Sequence, residues 1–127
     1  MSNVDLAVNV DVGGGGFGIS DGEYLPIVKV QPQYPRRALS RGLAGYVIVE
    51  FTVTEQGTVI NPFVIENCAH IQNARSPEEC VDKPNSVFDS AAMKAAVKFK
   101  YKPKVIDGQP VETAGVQNKI TFELAEG

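Results

Sequence analysis

The sequence predicts an α+β domain, a small antiparallel β-sheet with two helices packed on one face, and three patterns carry that expectation. From Tyr46 onward Val47, Val49, Phe51 and Val53 alternate with Glu50, Thr52 and Thr54, as a strand with one buried face requires. Phe88, Ala92, Ala95 and Phe99 fall within an arc of roughly 60° at about 3.6 residues per turn, with Lys94 and Lys98 well away from it, which is the stripe of a helix lying on a sheet. Near the carboxyl end Val116, Ile120, Phe122 and Leu124 alternate with Gln117, Lys119, Thr121 and Glu123, giving a closing strand. The order of strands and helices has none of the regular βαβ repetition of a parallel sheet.

The remaining segments are set by local chemistry. Residues 1–23 contain Gly13 to Gly16 in a row, then Gly18 and Gly22, and read as a flexible linker, with the domain occupying 24–127. A phosphate-cradling loop would need Lys and Ser or Thr soon after the glycines, and Phe17, Gly18 and Ile19 stand there instead. Tyr24 to Val30 is apolar and rich in β-formers. Pro32 and Pro35 force extended backbone on Gln31 and Tyr34. Pro35 suits a first helical position, Arg36 to Arg41 form about two turns, and Gly42 supplies a left-handed stop. Glu55-Gln56-Gly57 turns the chain into a second strand, Thr58 to Glu66, whose Pro62 asks for an edge position or a bulge. Asn67 to Asn85 is polar and reads as an irregular loop, ending at Ser86, which is placed to cap the second helix with Asp89 as its capping-box partner. Pro103 stops helical continuation and Asp107-Gly108 marks a turn.

Composition narrows the function. The chain has 127 residues, 43% of them hydrophobic and 21% charged, which suits one globular domain. Twelve basic against fifteen acidic residues give a net charge of −3, so nothing pulls the whole chain toward nucleic acid or anionic lipid. Five of the twelve basic residues lie between Lys94 and Lys104, interleaved with Phe99 and Tyr101. That run looks like a nucleic-acid stripe, yet its alternation fits a solvated face beside a buried one, which is the stronger reading; no nucleic-acid partner is expected, and docking to an acidic protein surface stands ahead of it. No window approaches the roughly 18 apolar residues of a membrane span, and the polar start after Met1 leaves room for an anchor upstream in a longer protein.

Catalytic chemistry has few candidates. The one histidine is His70, in the cysteine-bearing segment. Cys68, His70, Cys80 and Asp82 form a conceivable metal cluster, but the paired spacings of a structural zinc site are absent, and a Cys68–His70 nucleophile pair is geometrically weak. The plainer alternative is a Cys68–Cys80 disulfide in an oxidising compartment. No enzyme, metal or cofactor is expected.

A resemblance sharpens this. Gln31-Pro32-Gln33-Tyr34-Pro35, then Arg36-Arg37-Ala38, Gly42, Gly45, the Val47 to Val53 strand and Gly57, followed by Phe88-Asp89, the Ala91-Ala92 and Ala95-Ala96 pairs, Phe99 to Lys104, Asp107 to Val111 and the closing strand, form an ordered set over residues 24–124. This set resembles the C-terminal domain of TonB-family energy transducers. The resemblance implies a periplasmic domain held at the inner membrane by an upstream helix and Pro-rich spacer, driven by an ExbB and ExbD motor. It also implies a partner, the N-terminal box of an outer-membrane transporter, bound as an added strand so that siderophore, haem or similar cargo enters at the expense of the proton motive force. In that family the segment matching Gln31 to Pro35 contacts the transporter near its plug. A TolA-like envelope-linking domain is the alternative of related architecture. The cysteine-bearing loop is longer than the family's usual connection, and either sets partner choice or is a stapled surface insertion.

The residues themselves suggest how a peptide would bind. If the strand holding Val116, Gln117, Asn118, Lys119, Ile120, Thr121 and Phe122 lies at the sheet edge, its outer main-chain groups form a template for an incoming strand. Each hydrogen bond nets about 0.5–1.5 kcal/mol, so a short box suits a reversible, micromolar-class contact, with Gln117, Lys119 and Thr121 as candidates for side-chain selection. The competing expectations are a closed sheet or exchange of final strands in a homodimer. For Gln31 to Pro35 the alternatives are a docking segment with exposed amides on Gln31 and Gln33, and a stiffened approach to the helix with Tyr34 as a packing anchor.

Overall fold

The computed structural model describes residues 7–12, 26–72, 80 and 86–124. Hydrophobic phase sets the architecture. The chain runs β1 (Ala7–Val12), β2 (Pro26–Val28), α1 (Arg36–Arg41), β3 (Leu43–Val53), β4 (Val59–Ile71), α2 (Asp89–Ala96), β5 (Lys100–Tyr101), β6 (Lys104–Ile106), β7 (Gln109–Val111) and β8 (Thr113–Glu123). The main sheet has the order β1-β8-β3-β4, with every neighbouring pair antiparallel. Two short ribbons, β2-β5 and β6-β7, form separate two-stranded sheets.

Val47, Val49, Phe51 and Val53 of β3 and Val116, Ile120 and Phe122 of β8 are buried together with Ala38 of α1, Ala92 and Ala95 of α2, Tyr34, and Phe88 and Phe99, which stand just outside the two ends of α2 because the helix stops at Ala96, short of the expected stripe. The α+β expectation thus holds, with both helices contributing to a single core. Aromatic rings form its centre: Phe88 and Phe122 stack at 4.3 Å, and Tyr34 meets them edge-on at 5.5 and 5.7 Å. Such pairs add about 0.5–1.5 kcal/mol beyond their burial.

Local signals act as the chemistry requires. Gly42 ends α1 at φ 65° and donates to the Leu39 carbonyl at 3.1 Å. Asp107 and Gly108 both have positive φ, 54° and 79°, the geometry of the tightest hairpin turn, and join β6 to β7. Pro62 lies on the outermost strand, and the β3–β4 register shifts between Glu50 and Thr52 opposite it, so the edge and bulge expectations are both met.

Four expectations are corrected. The segment from Asn67 does not begin as a loop: β4 continues to Ile71, because β3 starts at Leu43 and supplies partners as far as the Leu43–Ile71 pair. Ser86 does not cap α2 through its side chain; Phe88 holds the cap position, Ser86 accepts the Asp89 amide through its carbonyl at 3.1 Å, and the Asp89 carboxylate instead accepts from Asn67 Nδ2 at 3.0 and 3.1 Å. Burial of that carboxyl pushes its pKa above the ordinary aspartate value, opposed in part by the Asn67 bond. Ala7–Val12, read as linker, is a strand paired with β8, and the rest of the glycine-rich lead lies outside the described residues. In consequence β8 is not the outermost strand, since it has β3 on one side and β1 on the other.

Cys68 and Cys80 are joined, their Cα atoms 5.0 Å apart and their separation 12 residues. Both thiols are thereby removed from metal and nucleophile chemistry, and Asp82 lies outside the described residues. Reduction is expected to cost up to about 3 kcal/mol, as for any short closed loop. Denaturant melts with and without reductant measure this, and coincident curves would show that the bond contributes nothing to stability.

Candidate functional site

The candidate binding residues come from two segments, and the fold brings them together through Tyr34. Pro32 and Tyr34 point inward and are buried, while Gln31 and Gln33 are exposed and Pro35 is half-buried. Proline at 32 and 35 holds the chain extended, so alternate residues face opposite ways. The Tyr34 ring packs on Phe122 of β8, and its hydroxyl donates to the Leu43 carbonyl at the start of β3. Burial, with the negative charge of Glu123 adding to it, holds that phenol well above its ordinary pKa, so it remains a donor. Tyr34 and Pro32 therefore secure the segment, as the anchor reading expects, while Gln31 and Gln33 face outward. Gln33 opens onto a groove of about 330 Å³ between this segment and α2, where Arg36 and Lys94 supply positive charge.

On β8 the alternation is strict. Val116, Asn118, Ile120 and Phe122 point into the core at 0–1% exposure, and Gln117, Lys119 and Thr121 are half-exposed on the opposite face. Asn118 thus presents no side chain to a partner: its Nδ2 donates to the Tyr101 hydroxyl at 2.6 Å inside the core. Two of the residues nominated for selecting a peptide already have partners on β3. Gln117 Nε2 donates to Glu50 Oε1 at 3.0 Å, and Lys119 Nζ lies 4.6 Å from the Tyr46 ring centroid, with the Tyr46 hydroxyl donating to Glu66 at 2.5 Å. That bond to a carboxylate, then burial, pushes the Tyr46 pKa up. Thr121 lines a shallow depression of about 420 Å³ on the same face, beside His70, Gln72 and Leu124.

Gln72, which sequence reasoning passed over, has a structural part here. Its side-chain amide donates to the Leu124 carbonyl at 2.7 Å and accepts the Leu124 amide at 2.8 Å, so one side chain stands in for a peptide unit and fixes the end of β8. Nothing in the sequence pattern marks this pairing, because it joins residues 52 positions apart.

The two flanks of the sheet differ. Along β4 the register shifts twice, Asn61 has φ 56°, and Pro62 offers no amide hydrogen, so the outer rim of that strand is irregular. Along β8 the six pairs from Ala7–Glu123 to Val12–Asn118 run without interruption. The β8 flank is accordingly the one with geometry suited to a straight added strand.

Known proteins share the sequence pattern and the overall fold. Residues 30–72 match the model of the Gram-negative bacterial TonB protein C-terminal family. The fold is similar to the TonB2 protein of Vibrio anguillarum, with TM-score 0.52 and 31% identity, over 88% of this chain and 91% of that one. The chain belongs to the TonB C-terminal domain family. The solution structure of the Pseudomonas aeruginosa TonB C-terminal domain is likewise similar, with TM-score 0.55 and 25% identity over 86% of this chain and 94% of that one. In sequence the domain is 29% identical over 93 residues to the TonB protein of Pseudomonas aeruginosa, covering 73% of this chain and 23% of that protein. It is also 29% identical over 87 residues to the TonB protein of Vibrio cholerae, covering 68% of this chain and 30% of that protein. This TonB domain therefore spans less than a third of the curated relatives it matches. Among its described residues no helix is long and apolar enough to cross a membrane.

Proposed function

We propose that this domain is the periplasmic receiving end of a TonB-type energy transducer. It takes the N-terminal box of an outer-membrane transporter as an added strand on β8 and passes tension to it. The motor is an ExbB and ExbD complex at the inner membrane, reached through an upstream anchor, and the cargo class is siderophore, haem or a similar chelate. The observation that carries this reading is the regular β8 flank, along which six residues of the chain's own β1 pair in unbroken register. Side chains on the inner face of β8 are buried, so recognition there rests on the main chain, with Thr121 and the outward Gln31 and Gln33 adding selectivity. At about 0.5–1.5 kcal/mol net per hydrogen bond, such a strand binds reversibly. Loaded along its length, it shares the force over several bonds at once.

Titrating the isotopically labelled domain with a synthetic transporter-box peptide tests site and partner together. Amide shifts are expected along Val116 to Phe122 and at Gln31 and Gln33. Shifts confined to β4, or none at millimolar peptide, would overturn the assignment. Gln33→Leu is expected to weaken binding of the transporter severalfold while moving Tm by no more than about 2 °C, since an exposed substitution usually changes stability by under about 0.5 kcal/mol.

A further inference from the structure

The β8 flank is filled by the chain's own Ala7–Val12. We propose that this segment is an internal competitor for the peptide site, pairing with β8 until a partner strand displaces it. The inference rests on the β8 reading above and adds its regulation.

Three observations carry it. Ala7–Val12 occupies the positions opposite Asn118 to Glu123, which overlap the stretch assigned to the partner. Its sequence suits the place: Val8, Val10 and Val12 take the register positions opposite Phe122, Ile120 and Asn118, the inward-facing residues of β8, and Asp11 stands opposite Lys119. β-Branched residues and opposite charges across a ladder both favour pairing. Finally, β1 is joined to β2 by thirteen residues that include six glycines. At the millimolar effective concentration of a closely linked segment, a strand whose own affinity for the flank is about 0.1 mM masks it about tenfold, which a partner of micromolar affinity still overcomes.

Masking divides the apparent affinity of any incoming strand by the open fraction. Placing proline at two adjacent positions, Asn9→Pro with Val10→Pro, removes an amide donor whichever parity faces β8, and does so in the full chain. Asp11→Lys is a milder variant that sets like charges opposite each other. The probes are two labelled peptides, one copying residues 6–13 and one transporter box, each titrated into the wild type and both variants, with amide exchange followed in parallel. The expected result is that the double-proline chain binds both peptides about tenfold or more tightly than the wild type, Asp11→Lys shows a smaller gain, and protection is lost in residues 7–12.

Equal affinity of the wild type and the variants for the transporter box, with shifts on β8, would overturn the competitor while leaving the peptide site intact. Binding of the 6–13 peptide without binding of the transporter box would overturn the transporter reading and support self-occupancy. Loss of residue 7–12 protection on dilution of the wild type would place the strand on a neighbouring copy and overturn competition within one chain.

Discussion

Tyr34→Ala is expected to lower the unfolding free energy by about 3–5 kcal/mol, the range for deleting a buried aromatic ring, and Tm by on the order of 15 °C. Tyr34 is 6% exposed, touches Phe88 and Phe122 edge-on, and ties the start of β3 through its hydroxyl. Tyr34→Phe isolates the last of these: it keeps the ring and leaves the Leu43 carbonyl without that donor, for about 1–3 kcal/mol. Urea titrations of the two variants separate packing from hydrogen bonding. A loss below about 1 kcal/mol for the alanine variant would mean that the segment is held elsewhere, and the division between buried anchors and outward glutamines would fall.

Gly57→Ala is expected to cost about 4 kcal/mol, from two independent causes. Gly57 has φ 87°, a conformation that strains any residue bearing a Cβ, and the added carbon would run into the Tyr101 carbonyl. The turn is also a docking point, for the Tyr101 amide donates to the Gly57 carbonyl at 2.8 Å and Thr58 bridges to Lys100, bringing β5 and with it β2 onto the β3–β4 hairpin. Gly42 is the control. It has φ 65° with open space where a Cβ would stand, so Gly42→Ala is expected to cost only about 1–2 kcal/mol. Equal losses for the two variants would remove the steric part of the argument.

Features governed by short-range chemistry are legible in the sequence. Pro35 and Gly42 mark the bounds of α1, helical period marks α2 while carrying its stripe past Ala96 to Phe99, and alternation marks the inner faces of β3 and β8. Asn118 sits in the apolar phase of β8 and still stands among the expected binding residues, because alternation tells which way a residue points and Tyr101, its partner, is 17 residues away. The end of β4 is hidden because its polar residues satisfy themselves through tertiary contacts, Asn67 with Asp89 across to α2 and Cys68 with Cys80. β1 is hidden for a different reason: the Val8, Val10, Val12 alternation is present, but six residues beside a run of glycines read as a tether until a pairing strand is known. The partners of Gln117 and Lys119 on the open face belong to the same class, since sheet order must be in hand before Glu50 and Tyr46 can be seen beside them.

The kinked outer strand, with its proline and its left-handed Asn61, has a consequence for how copies of the domain meet. A sheet with two receptive rims can grow without end, each molecule offering one side to the last arrival and the other to the next. With the β4 rim irregular, edge-to-edge addition on that side is disfavoured, and unlimited head-to-tail growth through it is blocked.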